Sequence, residues 1–207
     1  MLFLGIDVGS SSVKLAVLDG NTGSAVAATQ YPKRELEIQS PKAGWAEQDP
    51  DVWWQCVKSG CAELFERFSV DPSAIAGVGI TYQMHGLVLV DAQQNVLRPA
   101  IIWCDSRAVA TGDEALAELG SDYCYEHLLN SPGNFTAAKL RWVQQNEPDI
   151  YARIDKIMLP GDYIAMRLSG QVTTTAGGLS EGIFWDFKQN QIGSALLKLW
   201  DINPALL

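Results

Sequence analysis

The sequence predicts an α/β domain in which helices flank a mixed sheet, and three observations carry that expectation. Strand-length runs at 2–7, 13–19 and 24–31 follow one another across short turns. A long amphipathic helix comes next, its apolar residues spaced three and four apart. A continuous apolar run, IAGVGITY from Ile75, then has the length and composition of a buried parallel strand.

Taken in order, the first run ends at Asp7 and turns through Gly9, Ser10, Ser11 and Ser12 into the second. The next turn, DGNTGS, has the Gly and Asn chemistry of a hairpin. Residues 32–48 read as irregular, with Pro32, Pro41 and Gly44 interrupting them. Asp49 is placed as a helix N-cap with Pro50 at the first helical position. Trp53, Val57, Cys61, Leu64 and Phe68 then mark one buried face of a helix reaching about Phe68. After the Ile75 strand and the residues Gln83-Met84-His85-Gly86, LVLVDAQQNVLRPAIIW reads as short strands around a turn, the last reaching Trp103. The remainder predicts helices at about 107–119, 136–146, 148–154 and 161–168, punctuated by Pro132-Gly133 and Pro160-Gly161. The polar, glycine-rich 173–182 reads as a flexible surface loop, with a border of the cleft as the alternative. Three antiparallel strands, a helix and a parallel strand are the order of a ribonuclease-H-like sheet, the arrangement of the actin-like ATPases.

At 207 residues, with 47% hydrophobic residues and no repeat or linker, the chain suits one substantial domain. A net charge of −9 argues against a partner held by phosphate neutralisation, so no nucleic acid is expected. No run approaches the ~18 apolar residues of a membrane span, and the start lacks a signal-peptide pattern. A cytoplasmic protein without membrane association is the expectation. Cys56, Cys61, Cys104 and Cys124 lack the spacing of a zinc site and read as structural thiols.

Asp7 and the turn behind it carry the first chemical signal. Small residues at a tight turn let backbone N–H groups approach a phosphate. A carboxylate beside them can hold a magnesium ion through its waters, and Lys14 adds a positive charge on the departing strand. The same residues also fit an ordinary polar hairpin in which Asp7 makes an Asx-turn. The Walker pattern is absent.

Several separated segments resemble the FGGY carbohydrate kinases, most nearly their xylulokinase-like branch. They are GIDVGSSSVK at 5–14, WAEQDPDVWW at 45–54, GITYQMHG at 79–86, LRPAIIWCDSR at 97–107, FTAAKLRWVQQNEP at 135–148 and LPGDYIAMRLSG at 159–170, in the family's order. The resemblance implies ATP contacts from Gly9, Ser10, Ser11, Ser12 and Lys14, with Asp7 holding a magnesium ion at the phosphates. It also implies a sugar pocket with Met84 and His85 after the parallel strand, Trp103 covering an apolar sugar face, Asp105 accepting from hydroxyls, and Asn134. At Asn134 the sequence departs from the family, which usually has an aromatic, Gly or Ser there, so the sugar is left open. Without the resemblance, a lone His at a strand end and a Trp are more often structural, Arg107 reads as an anchor for Asp105 or as the start of the helix, and Trp45, Trp53, Trp54 and Trp142 read as packing.

The family's catalytic Asp and second nucleotide-binding domain follow the segments matched here. The resemblance therefore implies that residues 1–207 are an N-terminal sugar- and phosphate-binding domain whose C-terminal partner domain is missing. The parent enzyme would transfer the ATP γ-phosphate to a hydroxyl of a xylulose-like ketopentose, related sugar or polyol. The isolated chain is expected to be inactive and to self-associate. An inactive sugar- or partner-binding module is the alternative. A metal-dependent nuclease on the same sheet is disfavoured, because the strand ending at Tyr82 delivers Gln, Met and His rather than clustered carboxylates.

Overall fold

Alternation along the first strands decides which side of the sheet is buried. In the computed structural model, which describes residues 1–207, β1 (Leu2–Val8) and β2 (Val13–Asp19) turn Leu4, Ile6, Val8, Val13, Leu15 and Val17 to one side, all buried. The two strands pair antiparallel from Leu2 opposite Asp19 to Val8 opposite Val13. β3 (Ser24–Tyr31) pairs antiparallel with β2. After a two-residue strand, β4 (Glu47–Gln48), comes helix α1 (Pro50–Arg67), capped as expected by the Asp49 carboxylate on the Asp51 N–H. Trp53, Val57 and Leu64 bury against the sheet. Phe68 instead ends the helix at 41% exposure, one residue beyond the surface its face covers. Gly60 sets the approach of helix to sheet: a Cβ there would lie 2.3 Å from Leu15 Cδ1.

β5 (Ile75–Tyr82) adds parallel to β1, giving the order β3-β2-β1-β5. The expectation of a fully buried strand is corrected here. β5 forms the sheet's outer edge; Ile80 and Tyr82 pack on the core while Val78 is about half exposed. Its apolar composition came from β-branched residues and glycines rather than from burial on both faces. β6 (Val88–Val90) is the strand that does have two buried faces. Val88 and Val90 join the sheet's core, and Leu87 and Leu89 join a second core, which is why LVLV is apolar at every position. β7 (Ala100–Ile101) stops two residues short of Trp103 and pairs with β4.

The second core is helical. α2 (Val109–Leu119), a short α3 (Ser121–Tyr123) with a π-helical turn at Cys124–Leu128, α4 (Thr136–Asn146) and α5 (Pro148–Tyr151) surround it. β8 (Lys156–Met158) then pairs with β6. α6 (Pro160–Ser169) packs on β5, where a Cβ on Gly161 would lie 2.0 Å from the Tyr82 ring. α7 (Ala176–Glu181), β9 (Trp185–Asp186), β10 (Gln191–Ile192) and α8 (Ser194–Leu199) complete the chain. The segment read as a flexible loop is therefore partly helical, with the Thr175 hydroxyl accepting from the Gly178 N–H. All four cysteines are free. No helix is long and apolar enough to cross a membrane.

Candidate active site

The β1–β2 turn is tied down through its carbonyls. Ser10 O accepts from Gln48 Nε2 at 2.7 Å, and Ser11 O accepts from the Leu36 N–H at 2.7 Å. Gly9 N–H closes the turn on Ser12 O at 3.1 Å. The N–H groups of Ser10, Ser11 and Ser12 make no hydrogen bond within the chain, so three successive donors remain for an anion. Asp7 stands at the end of β1. Its Oδ2 is 3.2 Å from Lys14 Nζ, and its Oδ1 accepts from the Thr81 hydroxyl at 3.2 Å. Asp7, Lys14, Thr29, Gln30 and Thr81 line an open groove of about 600 Å³. No group of three or more His, Cys, Asp or Glu side chains is placed to hold a metal. A lone carboxylate fits a cation that arrives with its waters and a phosphate, and does not form an all-protein cage.

The residues expected on the sugar side begin one step along the same sheet edge. Gln83 N–H donates to Val8 O at 2.8 Å, extending the parallel pairing of β1 and β5. The β1–β2 turn and Met84-His85 therefore leave the carboxyl ends of neighbouring parallel strands, where open α/β sheets form their crevices. Gln48 links the two: buried, it donates to Ser10 O and accepts from Gln83 Nε2 and Trp53 Nε1, both at 3.1 Å. Met84 is exposed and His85 half-buried. Leu87 and Ile101 exchange backbone hydrogen bonds of 2.9 and 3.2 Å, so residues 84–86 and Trp103 leave that antiparallel bridge at the same end. Trp103 is 48% exposed there. Asn134 joins the group by donating from Nδ2 to Asp105 O. Phe135 packs edge-on to the His85 ring with centroids 4.2 Å apart.

His85 has one defined tautomer. Its Nδ1 lies 3.2 Å from Glu181 O, and a carbonyl only accepts, so Nδ1 carries the proton and Nε2 is the free acceptor. Burial holds its pKa below the usual imidazole value, keeping it neutral at pH 7. With Nδ1 engaged, the ring has only its Nε2 acceptor to offer a ligand.

Asp105 is a correction. Its carboxylate is fully buried and accepts from the Ala46 N–H at 2.6 Å, the Arg107 N–H at 2.9 Å and the Arg107 guanidinium at 2.7–3.0 Å. Nothing remains for a hydroxyl, and Asp105 instead fixes the turn carrying Trp103. Arg107 anchors Asp105, also pairs with Glu47 at 2.7 Å, and stacks on Trp45, which meets Trp142 edge-on. Trp45, Trp53 and Trp142 are packing residues, as expected.

Sequence reasoning missed Gln48, Thr81, Phe135, Lys139 and Glu181. Glu181 lay in the presumed loop, yet its Oε2 is 3.3 Å from His85 Nδ1. Lys139, within a helix that was correctly predicted, is fully buried and donates to His85 O at 2.8 Å. An isolated Lys on the apolar side of a predicted helix was the available signal.

A ribonuclease-H-like sheet with a hairpin of free N–H groups at one strand end and a second polar cluster at the neighbouring strand end defines a domain of the actin-like ATPase fold. Within that class the chain belongs to the FGGY family of carbohydrate kinases, whose N-terminal domain matches residues 2–207. It is 36% identical over 209 residues to the xylulose kinase of Escherichia coli K12, covering 99% of this chain and 42% of that protein. A kinase from Brucella ovis, described as a xyloylose kinase, superposes with a TM-score of 0.91 at 33% identity, covering 100% of this chain and 42% of that one. The xylulose kinase of Rhodospirillum rubrum gives 0.89 at 29% identity, over 100% and 42%. The chain thus spans less than half the length of the relatives it matches.

Proposed function

We propose that this chain supplies the sugar site and the first phosphate-binding turn of an ATP-dependent kinase that acts on a xylulose-like ketopentose or a related polyol. The observation that carries the reading is the convergence of two clusters on one sheet edge. Three free N–H groups and Asp7 stand beside β5, whose end presents Met84 and His85.

The backbone of Ser10–Ser12 would receive the nucleotide's phosphates, and Lys14 would move from Asp7 to their charge. Asp7 would hold the hydrated magnesium ion, which supplies charge neutralisation at the transferring phosphate. His85 Nε2 accepts from a sugar hydroxyl, Trp103 covers the apolar sugar face, and Asn134 and Met84 border it. Asp105 acts through the backbone it braces. No carboxylate of this chain is assigned as the base that takes the hydroxyl proton.

Amide NMR on the 207-residue chain tests the two halves separately. D-xylulose is expected to shift residues 84–86, 103 and 134. ATP with magnesium is expected to shift 10–12, and Asp7→Asn should remove the magnesium dependence of that second response while leaving the sugar response intact. Shifts confined to other surfaces, or none at millimolar ligand, would overturn the assignment.

A further inference from the structure

Lys139 stands behind the sugar site without a charge partner. It is fully buried in α4, and its one hydrogen bond goes to the His85 carbonyl at 2.8 Å. The Asp105 carboxylate that acts on it is already held by Arg107 at 2.7 Å. A buried ammonium with a single carbonyl partner is costly to the fold, and burial pushes its pKa down to about 8. Methionine would fill similar space without that cost, so packing does not account for the lysine. The carbonyl it holds does. His85 has φ 60°, a left-handed conformation that residues with a Cβ rarely adopt. Such strain persists where the surroundings enforce it. The same residue carries the ring set by Glu181 and Phe135.

We propose that Lys139 is a positioning residue: its ammonium fixes the His85 peptide in the left-handed conformation and so aims Nε2 at the bound sugar. The inference rests on the sugar-site reading above. Lys139 acts only through His85 and touches no substrate.

The test compares wild type, Lys139→Met, His85→Ala and the double variant in this chain. Thermal melts at pH 7 are expected to place Lys139→Met above wild type, while its Kd for D-xylulose weakens at least tenfold. A residue serving stability alone would move both in the unfavourable direction. The His85 Cα and Cβ shifts should leave their left-handed values in Lys139→Met. The double variant should bind no more weakly than His85→Ala. Unchanged His85 carbon shifts, a lower melting temperature, or a further tenfold loss on top of His85→Ala would each overturn the role. If wild type binds no D-xylulose, the sugar-site reading fails, and the His85 carbon shifts still decide what Lys139 does.

Discussion

At the scale of single residues, Lys139 has a consequence that needs no ligand. Its pKa falls from 10.5 to about 8 in the fold because burial penalises the ammonium. Asp105 and Cys104 favour the charge, and Arg107 opposes it. Between about pH 8 and 10.5 the unfolded chain keeps a proton that the folded chain has released, so stability rises with pH across that window. Below pH 8 the penalty is complete, at about 3 kcal/mol by the cost of one pKa unit. Lys139→Met should remove this slope. Urea melts at pH 7, 8, 9 and 10 read it as the difference between the two proteins, which cancels the tyrosines that titrate nearby. Parallel curves would show that the lysine is better solvated than its burial implies.

Elements are positioned by two helical glycines that differ in what they face. A methyl group on Gly60 would meet the end of the Leu15 side chain, and one on Gly161 would meet the Tyr82 ring. Gly→Ala inside a helix gains up to ~1 kcal/mol of propensity, while overpacking costs about 1–3 kcal/mol. Leu15 can change rotamer, so Gly60→Ala should be destabilising by about 1 kcal/mol or less. The flat ring cannot move aside without shifting β5, so Gly161→Ala should cost more, about 2–3 kcal/mol. Because β5 delivers Met84 and His85, Gly161→Ala should also weaken D-xylulose binding, which Gly60→Ala should not. Equal effects of the two on stability and binding would contradict this ranking.

Across the whole molecule, α1 covers one face of the four-stranded sheet and leaves the other open. Phe3, Leu18 and Val26 lie exposed on that open face at 38–50%, and Val78, on the opposite side in register with Leu4, is 48% exposed at the β5 edge. β5 also presents an unpaired edge. Apolar exposure beside a free strand edge favours association, so the 207-residue chain is expected to form dimers or larger species at micromolar concentration. Light scattering after size exclusion would reveal them, and Leu18→Lys with Val78→Lys should return the chain to a monomer. A monodisperse wild-type monomer would contradict the expectation.

Much of this was legible in the residues because the governing signals are local. The β1–β2–β3 meander follows from period-two burial and short turns, and α1 from an Asp-Pro cap and a three-four stripe. Asp7, Ser10–Ser12, Met84, His85 and Trp103 lie in contiguous motifs, so their placement at strand ends could be read directly. The pieces β8, α7, β9, β10 and α8 escaped because two to six residues are too few to show a period. Asp105 was misassigned because an Asp in a turn looks available to a ligand until Ala46 and Arg107, 59 and two residues away, are seen to occupy it. Lys139 and Glu181 meet His85 from 54 and 96 positions further along the chain. The sequence by itself determined the β1–β2–β3 meander, β5, the main helices and the two candidate-site motifs, since each is set by neighbours along the chain. Only the tertiary structure decided which polar groups remain free and which are consumed, because that depends on partners brought together by folding.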